Sequence, residues 1–183
     1  MNKYFNYAVK NVLFLPVLLV AMLFTQAVHA ECVDNIPYTK PDTLYADNAD
    51  GTVTDVETGL HWQKCAMGQE PQLHDCAGSA TVFNWQQALA QAQKANKEQL
   101  YGYDDWRLPS VAELRTLVAK NCHAPAINSS FFPRTPAYLF WSSSPSAAEQ
   151  FGAWFINFNR GNENTFFKDS HGHVRLVRGS GYQ

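Results

Sequence analysis

The chain has 183 residues, with 14 Lys and Arg against 16 Asp and Glu and a formal net charge of −2 at pH 7. It contains no run of basic residues and no basic segment interleaved with aromatics, which argues against a nucleic-acid partner. Aromatic residues make up 14% of the chain, enough apolar area for the core of one domain.

The first 30 residues have the pattern of a secretory signal peptide. Lys3 and Lys10 supply a positive start, residues 12–24 form an apolar run, and residues 28–30 (VHA) resemble a cleavage site. The apolar run is shorter than a membrane-spanning helix requires. We therefore expect cleavage after Ala30, a single domain over residues 31–183, no membrane span after cleavage, and a periplasmic or secreted protein.

All four cysteines follow the expected cleavage point: Cys32, Cys65, Cys76 and Cys122. An even number in an exported chain predicts two disulfides, for which three pairings exist. Cys65 and Cys76 bracket a loop with few apolar residues, so a local bridge would close it. Cys32 would then tie the start of the domain to Cys122. A zinc site is disfavoured because the sequence has no Cys-x2-Cys pair.

Residues 43–62 are predicted to form short strands separated by an Asp-Gly turn and a Thr-Gly turn. Four residues of this stretch match the spacing of a calcium-binding loop: Asn48, Asp50, Gly51 and Glu57. The first ligand position of that pattern is Ala46, which cannot coordinate a cation, and the flanks resemble strands rather than helices. We interpret the stretch as hairpin turns, while a shifted cation site at Asp47 and Asp55 stays open at this point.

Two helices are predicted in the middle of the chain. The first covers residues 84–99, with Asn84 as its N-cap and apolar residues every three or four positions. The second begins at Ser110, which is predicted to form a capping box with Glu113. Its apolar stripe consists of three residues: Leu114, Leu117 and Val118.

From residue 138 onward the pattern predicts an antiparallel meander. Residues 138–144 form one strand, and residues 151–158 form a second that is apolar on both faces and therefore central. A hairpin turn at residues 159–162 leads into a strand over residues 165–168, and residues 174–178 close the chain as a strand. The predicted fold class is α+β, with two helices packed on an antiparallel sheet and stapled by disulfides.

Five segments, taken in order, resemble one known family: residues 51–65 (GTVTDVETGLHWQKC), 102–114 (GYDDWRLPSVAEL), 140–145 (FWSSSP), 153–161 (AWFINFNRG) and 174–179 (VRLVRG). The set resembles the C-terminal domain family of the Legionella collagen-like protein (Lcl), over about residues 32–179. The resemblance implies a C-type-lectin-like fold and an exported, often surface-associated protein. The adhesin that names the family uses this domain to bind sulfated polysaccharides, which implies a ligand of that class.

The C-terminal hairpin carries the candidate ligand-binding residues. They combine amides, an Arg fork and a Lys charge that suit sulfate or carboxylate groups with an aromatic face for a sugar ring. They are Trp154, Asn157, Asn159, Arg160, Asn162, Asn164 and Lys168. An ordinary solvated hairpin is the alternative. Arg175 and Arg178 are assigned instead to bracing the fold through Asp104 and Asp105.

The sequence contains no recognisable catalytic set. No cysteine follows Cys122, where formylglycine-generating enzymes of the same fold need reactive cysteines. The tripeptide at residues 70–72 (EPQ) lies too early in the chain for a lectin calcium site. His171 and His173, with Asp169 beside them, could form a metal site, but a polar turn between strands is favoured. We therefore predict no enzyme activity, no cofactor and no metal site.

We expect an exported, non-enzymatic binding module for a carbohydrate or surface polymer, with sulfated glycans included, in adhesion or envelope function. One alternative is a protein-interaction or structural domain of an envelope or pilus-type complex. Another is a metal-dependent envelope enzyme that uses His171 and His173. Removal of Lys3 and Lys10 would leave 12 basic and 16 acidic residues, and this negative field argues mildly against a strongly anionic ligand. An oligomer is left open.

Overall fold

The structure is a computed structural model, and it describes residues 30–33 and 35–180. The expected signal peptide at residues 1–30 therefore lies almost entirely outside the described residues. Within the described part, no helix is long and apolar enough to cross a membrane.

Two helices lie in the middle of the chain, with six short strands before them and five strands after them. The first six strands are β1 (Glu31–Cys32), β2 (Tyr45–Asp47), β3 (Thr52–Asp55), β4 (His61–Gln63), β5 (Glu70–Pro71) and β6 (Cys76–Ala77). The helices follow as α1 (Trp85–Lys97) and α2 (Val111–Thr116). The remaining strands are β7 (Cys122–His123), β8 (Leu139–Pro145), β9 (Gly152–Asn157), β10 (Asn162–Phe167) and β11 (Val177–Arg178). Single 3-10 turns lie at Asp42–Leu44 and Leu100–Gly102.

The strands form two main antiparallel sheets. One has the order β11-β4-β3-β2 and the other the order β10-β9-β8, while β1 pairs with β7 and β5 with β6. The predicted hairpins of residues 43–62 are confirmed, with Gly51 and Gly59 at positive φ of 92° and 69° in the two turns. The predicted central position of the strand at residues 151–158 is confirmed as well, because β9 lies between β8 and β10.

The closing strand does not continue the meander, and this part of the prediction is wrong. Val177 pairs with Trp62 on β4, so β11 joins the first sheet. Earlier in the same segment, His173 forms a parallel bridge with Phe140 on β8. The backbone N–H of Gln63 donates to the carbonyl of Leu176 at 3.1 Å. The segment therefore runs between the two sheets, which explains why residues 172–177 are all buried.

Both helices begin at the predicted caps. Asn84 forms a capping box with Gln87, and Ser110 forms one with Glu113. Helix α1 packs with Leu139, Trp141 and Phe155, and α2 packs with Phe140, Ile156 and Phe158. Since neighbouring strand residues point to opposite faces, the helices cover opposite faces of the β8–β9–β10 sheet. The fold is mixed α/β with mostly sheet. The prediction of two helices packed on an antiparallel sheet is therefore confirmed only in part.

Both predicted disulfides are present, between Cys32 and Cys122 and between Cys65 and Cys76. The first joins residues 90 apart in sequence, and the second joins residues 11 apart. In the chain-entropy view each bridge stabilises the fold by roughly 2–4 kcal/mol, with more from the longer loop. The long bridge fixes the start of the domain to the chain beyond α2.

The two C-terminal arginines have different roles. Arg178 Nε lies 2.6 Å from Asp105 Oδ1, so its predicted bracing role is confirmed. The same prediction is wrong for Arg175, whose side chain is fully buried. Arg175 donates to the carbonyls of Gln63 and Lys64 at 2.8 and 2.6 Å instead. Its position at the crossing between the two sheets places backbone acceptors, rather than acidic side chains, around the guanidinium.

The carboxylate of Glu113 links the start of α2 to the C-terminal segment and makes stability depend on pH. Burial alone would raise the pKa of Glu113, but hydrogen bonds from Arg107 and from the N–H of Ser110 lower it below its usual range. A carboxyl group with a lowered folded pKa stabilises the fold above its unfolded pKa, and this stability is lost as the pH falls through the folded pKa.

We therefore expect Glu113→Gln, which keeps the capping geometry, to lower the free energy of unfolding at pH 7 by about 1 kcal/mol. In urea titrations this gap should be present at pH 7 and closed at a pH below the lowered folded pKa of Glu113, where the wild-type carboxyl is protonated. A gap of the same size at both pH values would contradict the assigned role of the charge.

Candidate functional site

The hairpin between β9 and β10 sits directly on the chain that follows α2. Asn162 pairs with Asn157, so residues 158–161 form the turn. Gly161 has a φ of 72°, and a Cβ atom at this position would overlap Cγ1 of Val118. A glycine is needed here both for the backbone conformation and for the close approach. The turn is therefore held against a fixed surface.

The predicted ligand-binding residues of the hairpin do not share one surface. The register places Asn164 opposite Phe155 and Thr165 opposite Trp154. Because neighbouring strand residues point to opposite faces, Trp154 points away from the face that carries Asn162 and Asn164. Trp154 is also half-buried. A ligand on the asparagine face would not reach its ring.

Several of these side chains already have partners. The Oδ1 atoms of Asn157 and Asn164 accept backbone N–H groups of Asn159 and Thr165 at 2.9 and 2.8 Å. Lys168 lies six residues from Asn162 along β10, roughly 20 Å away at the usual strand rise. Its Nζ is 4.8 Å from the ring centroid of Trp85. The binding role of these residues stays a prediction.

Arg160 occupies the exposed tip of the turn. Within residues 30–33 and 35–180, its side chain forms no hydrogen bond or ion pair. Val118, beneath the neighbouring Gly161, also lines a groove of about 450 Å³ that α2 borders. Three cationic side chains line this groove: Lys40, Arg115 and Lys120. We call these three residues, with Arg160 at the edge, the basic groove.

The basic groove is assembled from distant parts of the chain. Arg115 lies on the exposed side of α2, and Lys120 lies just beyond the helix. Lys40 comes from the N-terminal segment that the Cys32–Cys122 bridge holds in place. There the backbone N–H of Lys120 donates to Oγ1 of Thr39 at 2.8 Å. The groove therefore has one wall from α2 and one from the segment that follows Cys32.

Two of the four cations are paired and two are unpaired. Lys40 Nζ lies 2.8 Å from Glu57, and Nη1 of Arg115 lies 2.9 Å from Glu163. The hydrogen bond from Lys40 lowers the pKa of Glu57. Within the described part of the chain, Lys120 and Arg160 form no ion pair. Four cations and two carboxylates leave a local charge of +2, opposite in sign to the whole chain.

The sequence does not mark Lys40, Arg115 and Lys120 as binding residues. Arg115 and Lys120 stand five residues apart, which is too far for one turn of helix, and no charge run marks them. The predicted Cys32–Cys122 bridge could have indicated the groove, because it brings the segment after Cys32 close to the end of α2. Only the fold brings Lys40 to the same groove.

The stretch that resembles a calcium loop folds as a hairpin, as predicted. Oδ1 of Asp50 accepts the N–H of Thr52 at 2.9 Å, and its Oδ2 accepts the hydroxyl of Tyr103 at 2.9 Å. The side-chain amide of Asn48 bonds to Oγ1 of Thr52 at 2.8 Å, and Glu57 turns away to pair with a lysine. These side chains serve turns and strand pairing.

The other proposed metal ligands are also separated. Asp47 pairs with Lys64 at 2.7 Å, while Asp55 is buried and accepts the N–H groups of its own turn. His171 is exposed, whereas His173 is 8% exposed, with Nδ1 3.1 Å from the carbonyl of Thr81, and burial lowers its pKa. Among the residues that the structure describes, no three His, Cys, Asp or Glu side chains gather around one point.

A wider cleft of about 620 Å³ lies between the β2–β3 turn and the loop that Cys65 and Cys76 close. Its buried charge is already satisfied: Nζ of Lys64 donates to Asp47 at 2.7 Å and to the carbonyl of Leu73 at 2.9 Å. The basic groove therefore has more unpaired charge to offer an anionic ligand than this cleft has.

Comparison with known proteins places the chain in a family. The model of the Lcl C-terminal domain matches residues 51–178, which include Arg115, Lys120 and Arg160 and leave Lys40 outside. A search of curated proteins gives no match. The matched region is most of the chain and contains both helices, the β10-β9-β8 sheet and the other main sheet except β2. The chain belongs to the Lcl C-terminal domain family.

Proposed function

We propose that this protein is an exported, non-enzymatic binding module that holds an anionic surface polymer of the sulfated-glycan class in the basic groove. The observation that carries the proposal is the convergence of Lys40, Arg115 and Lys120 on one open groove. Arg160 lies on the turn that packs against Val118 at the edge of this groove. Family membership suggests an extracellular domain, and two disulfides suit an oxidising compartment.

The groove can bind anions without first breaking its own ion pairs. Lys120 and Arg160 are exposed and unpaired in the described structure, so both can donate to a sulfate or carboxylate. Arg115 reaches Glu163 through Nη1 alone, which leaves the N–H groups of its Nη2 and Nε for a ligand.

The arrangement of the two sheets bears on how the groove binds its ligand. We propose a C-type-lectin-like arrangement, supported by the family, the two antiparallel sheets and the strand β11 that returns to pair with β4 near the start of the matched region. In such a fold the groove would bind its ligand without calcium, because its chemistry rests on cationic side chains. An adhesion or envelope role would follow from binding a surface polymer.

A second candidate function, a protein-interaction module, is favoured by one observation. Strand β10 lies at the edge of its sheet, and Phe151 and Phe167 beside that edge are 70% and 66% exposed. Exposed aromatics next to an unpaired strand edge suit a partner protein better than a charged polymer. A binding experiment with polymers distinguishes the two functions.

The test is a titration of the oxidised protein with a heparin-type sulfated polysaccharide and with the same polymer after desulfation. We expect saturable binding only to the sulfated form, unchanged by chelator and weakened by salt. Arg160→Ala should weaken binding about 3–10-fold. Equal binding of both polymers, or loss of binding with chelator, would contradict the proposal.

A further inference from the structure

The two disulfides differ in their access to solvent. Cys65 and Cys76 are 1% and 0% exposed, so their bridge lies inside the fold. Cys32 is partly exposed, and both Cys32 and Cys122 line an open cleft of about 210 Å³. Thiol–disulfide exchange requires an attacking thiolate to reach a sulfur atom. The cleft gives that access to the long bridge, while the short bridge is shielded.

The segment that follows Cys32 is held by this bridge and by hydrogen bonds, with little help from buried apolar area. Its apolar side chains bury little area, since Val33 and Ile36 are each 43% exposed and Tyr38 is 58% exposed. Hydrogen bonds to the chain at residues 120–128 supplement the bridge, such as the 2.8 Å bond from the N–H of Val33 to the carbonyl of Asn121. A segment with so little buried area is ordered mainly by its covalent bridge and its hydrogen bonds.

Lys40 connects the bridge to the basic groove. Its side chain lines both the cleft beside Cys32–Cys122 and the groove beside Arg115 and Lys120. Opening of the bridge would release the strand pairing of Glu31 and Cys32 with β7 and loosen the chain that leads to Lys40. The groove would then lose one of its cations and part of one wall.

We propose that Cys32–Cys122 is a thiol-exchange site for a dithiol reductant and that its reduction weakens ligand binding in the basic groove. The second half rests on the function proposed above. A thiolate of the dithiol attacks Sγ of Cys32, the S–S bond breaks, and Cys122 leaves as a thiolate that takes up a proton. The second thiol then attacks the mixed disulfide and releases Cys32 as a thiol. The dithiol is oxidised to a disulfide, and the protein gains two electrons and two protons.

The first experiment measures which bridge opens. The oxidised protein is treated with limiting dithiothreitol, free thiols are alkylated at intervals, and the labelled cysteines are identified by peptide mass. We expect Cys32 and Cys122 to be labelled about 10-fold or more faster than Cys65 and Cys76, because only the first pair borders an open cleft. Labelling of all four at one rate, or of the inner pair first, would overturn the exchange site.

The second experiment measures binding of the heparin-type polymer to oxidised protein and to protein in which only Cys32 and Cys122 are alkylated. We expect about 3–10-fold weaker binding after reduction, the loss of roughly one charged contact. Lys40→Ala should cause a similar loss in the oxidised protein and little further loss in the reduced one. Unchanged binding after selective reduction would overturn the switch.

The two proposals fail in different ways. If the oxidised protein does not bind the polymer, the proposed function is wrong, and the order of alkylation still decides whether the bridge is an exchange site. A Cys32→Ser, Cys122→Ser variant provides the open form without a reductant. Its inner bridge should remain closed to alkylation, and opening of that bridge in this variant would contradict the separation of the two disulfides.

Discussion

Replacement of Arg175 by Met is expected to lower the free energy of unfolding by about 3–5 kcal/mol. The guanidinium is fully buried and donates three hydrogen bonds, to the carbonyls of Gln63 and Lys64 and to Oγ1 of Thr135 at 2.7 Å. Its plane also lies over the ring of Phe132, 4.7 Å from the centroid. The methionine would fill much of the volume but leave three buried acceptors without donors.

Burial lowers the pKa of Arg175 to about 9, so the group stays charged at neutral pH. Arg175→Lys keeps that charge, but one ammonium cannot reach three acceptors in a fork, and we expect a loss between those of wild type and Arg175→Met. Arg178→Met is the matched control, because it removes one partly exposed ion pair and should cost about 1 kcal/mol or less.

Urea unfolding of the oxidised proteins, followed by tryptophan fluorescence, supplies the free energies. Equal losses in Arg175→Met and Arg178→Met would show that the buried guanidinium does not hold the two sheets together. The hydrogen bonds to Gln63, Lys64 and Thr135 would then add nothing measurable to the free energy of unfolding.

Replacement of Trp141 by Ala is expected to cost about 3–5 kcal/mol. The ring is fully buried between α1 and the β8–β9–β10 sheet, and its Nε1 donates to the carbonyl of Phe83 at 2.9 Å. Gly172 packs against it so closely that an added Cβ would lie 3.0 Å from Nε1. Loss of the ring leaves a large cavity under α1 and removes one of two donors to the Phe83 carbonyl, which also accepts the N–H of Gly172.

Trp154→Ala is the matched control, because this tryptophan is half-buried and lies on the same sheet. We expect a clearly smaller loss of stability there, and hydrogen exchange should show faster opening of α1 in Trp141→Ala only. Comparable losses in the two variants, or unchanged exchange in α1, would contradict the assigned packing of Trp141.

Features that depend on residues close in sequence could be predicted from the sequence. The N-caps at Asn84 and Ser110 depend on a partner three residues later, and both formed as expected. The hairpin turn at Gly161 also follows from its local composition. The cysteine pairing was accessible for a different reason: four cysteines leave three pairings, and the loop between Cys65 and Cys76 favours one of them.

Features that depend on the choice of sheet could not be predicted. The pattern of residues 174–178 indicates a strand but does not say whether its partner is β4 or the meander. Arg175 and Arg178 each follow a valine in the sequence. Only the crossing of the two sheets makes Arg175 a buried donor and Arg178 a member of a surface ion pair. The basic groove was missed for the same reason, since Lys40 and Arg115 meet only in three dimensions.

The hairpin residues that were predicted to form one site lie apart in the structure. Asn157, Asn164 and Lys168 were grouped with Arg160 because they lie near it in sequence and are polar. In the structure the first two accept neighbouring N–H groups, and Lys168 is placed at the far end of the strand beside Trp85. Closeness along a strand predicts neither a common face nor a common end, because side chains alternate and each residue adds about 3.3 Å.

The proposed function requires that an anionic polymer binds at the basic groove and not through the overall electrostatic field of the protein. Lys120→Glu with Arg160→Glu reverses two groove cations that form no ion pair in the described structure. Lys94→Glu with Lys97→Glu reverses two exposed lysines near the end of α1 and changes the net charge by the same amount. The two double variants therefore separate the local site from the general charge.

The decisive measurement is the affinity of both double variants for the heparin-type polymer at one fixed salt concentration. We expect the groove reversal to weaken binding about 10-fold or more and the α1 reversal to change it by about 2-fold or less. Equal weakening in the two double variants would contradict a site at Lys40, Arg115, Lys120 and Arg160.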